Sequence, residues 1–171
     1  SLHPKAQSKN KNVFVDVGGG STEIYIHKND QHVIKSFQLG AVRGMLNKNE
    51  LNEWKRLKSW LKKQTKAEVL IGLGGNIRSF LKIHETNNML ASDLDQFAHK
   101  LRNLSLKEKI EKYNLTIDRA DVIDEALKIY IEIVKLLKVK TIKSTKWGVS
   151  DSIAVKTFHE LYSNKITISR N

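Results

Sequence analysis

Val13-Phe14-Val15-Asp16-Val17-Gly18-Gly19-Gly20-Ser21-Thr22-Glu23-Ile24-Tyr25-Ile26-His27 is the stretch on which the reading of this chain turns. A short apolar run ends in three contiguous glycines, and alternation resumes through Ile24 and Ile26, which reads as strand, glycine turn, strand. Lys28 to Gln31 then supplies an Asn-Asp turn, and His32 to Leu39 alternates well enough for a third strand ending at Gly40. Three adjacent antiparallel strands are therefore expected.

Working outward, Leu51, Trp54, Leu57, Trp60 and Leu61 recur at helical spacing with lysines between them. That spacing puts both tryptophans on a packing face, in preference to a base-stacking role beside a phosphate track. Glu68 to Gly72 reads as a buried strand running into Gly74-Gly75-Asn76, with a helix over Ile77 to His84 and Asn76 placed to cap it. Asp93 to Leu104 and Ser105 to Tyr113 read as helices, the second opening on Ser105 and Glu108 in capping-box spacing and closing at Asn114. A longer helix is expected over Asp118 to Lys138, mostly buried, because its polar positions Asp121, Glu125, Lys128, Glu132 and Lys135 form one narrow stripe. Thr141 to Lys146 reads as a last strand and Asp151 to Leu161 as a last helix. The order predicts an α/β domain: a mixed sheet of about five strands flanked by helices.

The length, 171 residues with 40% hydrophobic and 28% charged, fits one globular domain. Residues 1–12, polar and carrying Pro4, read as a linker, residues 13–165 as the domain and 166–171 as a tail. No apolar run approaches the roughly 20 residues that cross a bilayer, and the absence of cysteine excludes disulfides and thiolate chemistry. A cytoplasmic location without a membrane partner is expected. The net charge of +12 favours polyanions; lysines spread over solvated faces would give the same surplus.

Gly18, Gly19 and Gly20 stand where two strands meet, so backbone N–H groups can approach a phosphate without obstruction from a Cβ, with Ser21 and Thr22 adding hydroxyls. Asp16 ends the preceding strand, where a carboxylate beside phosphate is tolerated when a cation such as Mg²⁺ lies between them. The plainer alternative is a glycine hairpin in which Asp16 satisfies backbone amides. No Gly-Lys-Ser/Thr follows, so this is not a P-loop, and the contiguous glycines lead into a strand, so it is not a dinucleotide fingerprint. A second loop, Gly72-Leu73-Gly74-Gly75-Asn76, precedes a helix whose free N–H groups suit an anion, with Arg78 in its first turn. Asp118, Asp121, Asp124 and Glu125 read as helix-start acids in preference to metal ligands, and the six histidines are dispersed.

Asp16-Val17-Gly18-Gly19-Gly20-Ser21-Thr22-Glu23 resembles the second phosphate-loop signature of the exopolyphosphatase / guanosine pentaphosphate phosphatase (Ppx/GppA) family. Leu39-Gly40-Ala41-Val42-Arg43, Gly72-Leu73-Gly74-Gly75-Asn76-Ile77-Arg78 and Arg119-Ala120-Asp121-Val122-Ile123 are similar to three later segments of that family, in order, over about Val13 to Phe158. The resemblance implies a ribonuclease-H-like domain of the actin-like ATPase superfamily, the second, carboxy-terminal of two. It further implies that polyphosphate or pppGpp binds between the two and loses its terminal phosphate to water with the help of Mg²⁺. By the same resemblance Gly18 to Ser21 contact phosphate, Asp16 holds Mg²⁺, Glu23 orders the loop, and Arg43 faces the cleft. The general-base glutamate would belong to the first domain, which has no counterpart in this sequence, so the chain is expected to be inactive alone. The resemblance leaves room for a homodimer and makes nucleic acid an unexpected partner. Gly148-Val149-Ser150-Asp151-Ser152 departs from the family pattern, which carries arginine and glycine where Ser150 and Ser152 stand. Two further readings stay open: a polyanion-binding module without catalysis, and a fragment of an ATP-dependent kinase of the same superfamily.

Overall fold

A computed structural model describes residues 12–28 and 31–145. Strands β1 (Asn12–Val17), β2 (Thr22–Lys28) and β3 (Gln31–Phe37) form the expected antiparallel meander. Helices α1 (Ala41–Met45) and α2 (Leu51–Lys62) lead to β4 (Val69–Leu73), which lies parallel to β1 and opens directly into α3 (Gly74–Ile83). Strand β5 (Asn88–Leu90), helices α4 (Ala91–Arg102), α5 (Leu106–Tyr113), α6 (Ile117–Ala120) and α7 (Ile123–Leu137), and strand β6 (Thr141–Ser144) complete the described fold. The sheet has six strands in the order β3-β2-β1-β4-β6-β5, with β1, β4 and β6 parallel.

Alternation along the strands sorts the side chains by face. Val13, Val15, Val17, Ile24, Ile26, Leu70 and Ile142 join one buried cluster with the apolar side of α7, while Phe14 and Tyr25 meet edge to face on the opposite side at 5.6 Å. The polar stripe on α7 is as narrow as the sequence suggests: Lys128 and Lys135 are exposed, whereas Ala126, Leu127, Ile129, Tyr130, Ile133 and Val134 are buried. Trp54 and Trp60 pack against the core, the latter 5.6 Å from Phe37. Among the described residues no helix is long and apolar enough to cross a membrane.

Four expectations are corrected. The sheet has a sixth strand, β5, too short to show a period and held in place by antiparallel pairing of Met89 with Ile142. The helix expected over Asp118 to Lys138 is two: the Val122 N–H bonds the Arg119 carbonyl, three residues back, and the chain turns before α7. Asn76 does not cap α3, which starts two residues earlier after Leu73 and buries the Asn76 side chain. The Leu39–Arg43 segment opens a helix, α1, where no helix was expected. The capping box of Ser105 with Glu108 and the left-handed cap at Asn114 form as read. The helix expected over Asp151 to Leu161 and the segment Gly148–Ser152 lie outside the described residues.

Candidate phosphate site

Asp16 and Leu73 are register partners near the ends of the parallel strands β1 and β4, so the loops that follow leave the same edge of the sheet side by side. Carboxyl ends of parallel strands are where α/β sheets open a crevice for ligands. The first loop is Gly18 to Ser21. Its Gly18 N–H donates to the Ser21 carbonyl at 2.9 Å, closing the turn.

The carbonyls of Gly18, Gly19 and Gly20 are tied to the chain segment that follows β3. The Ala41 N–H donates to the Gly18 carbonyl and the Arg43 N–H to the Gly19 carbonyl, each at 2.9 Å, and Arg43 Nε donates to the Gly20 carbonyl at 3.0 Å. In a trans peptide the N–H points opposite to the carbonyl of the same unit, and no peptide bond among the described residues is cis. The N–H groups of Gly19, Gly20 and Ser21 therefore turn away from α1, and among the described residues none has a backbone acceptor. Successive N–H groups presented in this way form an anion-binding concavity.

Close approach of backbone to backbone makes this arrangement depend on Gly40. A Cβ there would lie 2.3 Å from the Gly19 oxygen, and Asn49 holds Gly40 in place, accepting from its N–H at 3.0 Å and donating to its carbonyl at 3.1 Å. Thr22 is fully buried and its hydroxyl donates to the Leu39 carbonyl at 2.7 Å, so it fastens the same segment and does not present a donor to the cleft. Arg43 reaches the loop from its carbonyl side and also donates to Gln38 Oε1 at 3.1 Å. It braces the loop from that side.

The second loop brings Gly74 against Asp16. Gly74 has φ +79°, which favours glycine, and a Cβ on it would lie 2.6 Å from Asp16 Oδ1. Gly75 lies in the first turn of α3, where N–H groups lack helical acceptors. Asp16 faces Glu23 directly across the β1–β2 ladder, and Glu23 in turn accepts from the Ser36 hydroxyl at 2.8 Å. Burial pushes the Asp16 carboxyl above its ordinary value, Glu23 pushes it further the same way, and Arg78 opposes both. The Tyr130 hydroxyl, buried beneath the strand ends, is pushed up first by burial and then by the Asp16 charge.

Mg²⁺ binds through one or two carboxylates plus phosphate oxygens and waters, not through a cage of protein ligands. The residues fit that pattern: Asp16 is a carboxylate whose charge is disfavoured where it stands, beside donors suited to phosphate, and a cation would relieve it. Among the described residues no group of three or more histidines or carboxylates could hold a metal by itself. The acids near α7 do not converge: Asp124 pairs with Lys109, Glu125 with Lys128, and Asp118 is held low first by the Thr116 hydroxyl.

A mixed six-stranded sheet flanked by helices, with two glycine loops leaving adjacent parallel strands, defines an α/β domain. The chain belongs to the Ppx/GppA phosphatase family, whose model matches residues 3–161. It is similar in structure to the type II variant of the Aquifex aeolicus Ppx/GppA phosphatase, with TM-score 0.69 and 18% identity over 88% of this chain and 58% of that one. An exopolyphosphatase from Cytophaga hutchinsonii superposes with TM-score 0.68 and 16% identity, covering 90% of this chain and 60% of that one. An exopolyphosphatase-like protein gives TM-score 0.71 and 16% identity over 94% and 63%. The chain thus spans about three fifths of the length of these structures, and at such identities they establish the fold. No curated protein matches the sequence.

Proposed function

We propose that this chain is the second, carboxy-terminal domain of a phosphoanhydride hydrolase and supplies the phosphate-binding half of its site. The substrates would be inorganic polyphosphate or pppGpp, which share a terminal phosphoanhydride. The observation that carries the reading is the set of three outward N–H groups at Gly19, Gly20 and Ser21, fixed by three bonded carbonyls beside Asp16. Neutral donors held in place before the ligand arrives stabilise charge without reorganising.

In this reading Gly19, Gly20 and Ser21 and the start of α3 at Gly74 and Gly75 hold phosphate oxygens, Gly18 closes the turn through its bond to the Ser21 carbonyl, Asp16 holds Mg²⁺, and Glu23 and Arg43 keep the loop in shape. The ion would neutralise charge on the phosphates. Water adds to the terminal phosphorus, the bridging P–O bond breaks, and phosphate leaves a chain one unit shorter. The water's proton goes to a base from the first domain, and losing such a base removes about 10²–10⁴-fold in rate. The chain alone should therefore bind and not turn over.

The test is Mg²⁺-dependent phosphate release from polyphosphate and from pppGpp, comparing this chain with a form that includes a first domain. Release only by the two-domain form is the expected result. Robust release by this chain alone would overturn the split site, and binding without release by the two-domain form would identify a polyanion-binding module. A ligand preference for ATP over polyphosphate would point to the kinase reading.

A further inference from the structure

Asn76 is 4% exposed, and its side-chain amide spans two elements: Nδ2 donates to the Val17 carbonyl at 2.9 Å and Oδ1 accepts from Arg119 Nη1 at 3.0 Å. Only one orientation of the amide serves both partners, since a carbonyl can only accept and a guanidinium can only donate. Val17 is the residue immediately before the Gly18–Ser21 loop. Arg119 belongs to α6, 43 residues away from Asn76 in sequence, and its guanidinium lies over Gly75, where a Cβ would be 2.6 Å from Nη2.

We infer that Arg119 is a positioning residue: it sets the Asn76 amide, and through it the Val17 carbonyl from which the glycine loop departs. Without Arg119 the amide keeps only its bond to Val17 and its Oδ1 is left buried without a donor, so the amide is no longer held from both sides. Gly75 belongs to the same device, because a methyl group there displaces the guanidinium. The link ties the α6 corner to both glycine loops at once. Its consequence for ligand binding rests on the phosphate reading above; its consequence for the loop does not.

The experiment is amide hydrogen exchange on the full chain without ligand, followed by tripolyphosphate titration. The reporters are the Gly18 N–H, bonded to the Ser21 carbonyl, and the Ala41 N–H, bonded to the Gly18 carbonyl. In Arg119→Met they should exchange about 5- to 10-fold faster relative to amides in the middle of α7, as expected when one positioning hydrogen bond is lost. Gly75→Ala should do the same, and the double variant should be no faster than Arg119→Met, because both remove one contact. Asn76→Asp keeps the arginine partner but loses the donor to Val17 and should match them. Arg119→Lys retains one donor to Asn76 and should restore exchange toward wild type, which also covers the case in which Arg119→Met does not fold.

Tripolyphosphate affinity should fall about 5-fold in Arg119→Met. Reporters that move only in step with α7, or additive effects of Arg119→Met and Gly75→Ala, would overturn the inference and leave Arg119 as packing. A wild-type chain that ignores tripolyphosphate would instead overturn the phosphate reading, with the relay judged by exchange.

Discussion

Gly40→Ala places a methyl group where the structure has no room for one. The added Cβ would lie 2.3 Å from the Gly19 oxygen, 2.5 Å from the Gly19 carbonyl carbon and 2.6 Å from the Gly20 carbonyl carbon. Ordinary contacts between such atoms are about 3.5–4.0 Å, so the two backbones must separate by roughly 1 Å. Asn49 holds Gly40 by two hydrogen bonds, which limits its retreat. A separation of that size takes the 2.9 Å bonds from Ala41 to Gly18 and from Arg43 to Gly19 past any useful length. Overpacking costs about 1–3 kcal/mol and a lost hydrogen bond about 1 kcal/mol. Together these give a total of about 3 kcal/mol, or about 6–12 °C in Tm for a chain of this size. Urea unfolding followed by tryptophan fluorescence should show a lower midpoint at unchanged slope. Titration with tripolyphosphate should show at least a ~10-fold loss of affinity, since the outward N–H groups lose their support. A variant within ~0.5 kcal/mol of wild type that binds as well would refute the claim that the 40–43 segment holds the loop.

Gly20→Ala should separate stability from binding: no atom lies within 4 Å of its added Cβ, so the unfolding midpoint should stay within ~0.5 kcal/mol while tripolyphosphate affinity drops about 10-fold as the methyl crowds the donors. Thr22→Val leaves the Leu39 carbonyl without its buried donor and should cost about 1–3 kcal/mol in urea unfolding. Asp16→Asn should stabilise the chain at pH 7. The folded carboxyl titrates above its ordinary 3.8, so the folded state holds more protons than the unfolded one in that window, and Asp16 weighs against folding increasingly as pH rises through it. The Tm difference between variant and wild type should vanish below about pH 3.8 and reach its plateau above the folded value.

What the sequence showed and what it hid divide along a physical line. The β1–β2–β3 meander, both glycine loops, the α7 stripe and the Ser105 cap were legible, since each is written in contiguous residues by period or by local hydrogen bonding. Strand β5 was not, because three residues carry no period and only pairing with β6 makes them a strand. Helix α1 has five residues and no side-chain cap; the glycine loop's carbonyls hold its first turn. Asn76 before a helical pattern reads as a cap, yet its partners are 59 and 43 residues away, and no local rule reports contacts at that distance. Thr22 differs in kind: a hydroxyl beside glycines looks like a ligand donor, while the alternation it shares with Ile24 and Ile26 puts it on the buried face.

The Asp16 carboxylate sets the glycine loop apart from the lysine-rich surface, which makes Mg²⁺ a discriminating reagent. The net charge of +12 attracts polyphosphate to any lysine-rich face, and binding of that kind weakens when cations compete for the polyanion or screen the field. At the glycine loop Asp16 and Glu23 face each other across β1 and β2, with Arg43 and Arg78 near them; a phosphate there meets donors and a repelling carboxylate together. Site binding should therefore strengthen when Mg²⁺ is added at constant ionic strength, whereas surface binding should weaken. Asp16→Asn sharpens the contrast, since it removes the repulsion: tripolyphosphate should bind the variant more tightly than wild type without Mg²⁺ and gain little when Mg²⁺ is added. Calorimetric titrations of both forms, with and without Mg²⁺, give four affinities. If Mg²⁺ weakens wild type and variant alike, the lysines bind the polyanion and the glycine loop does not.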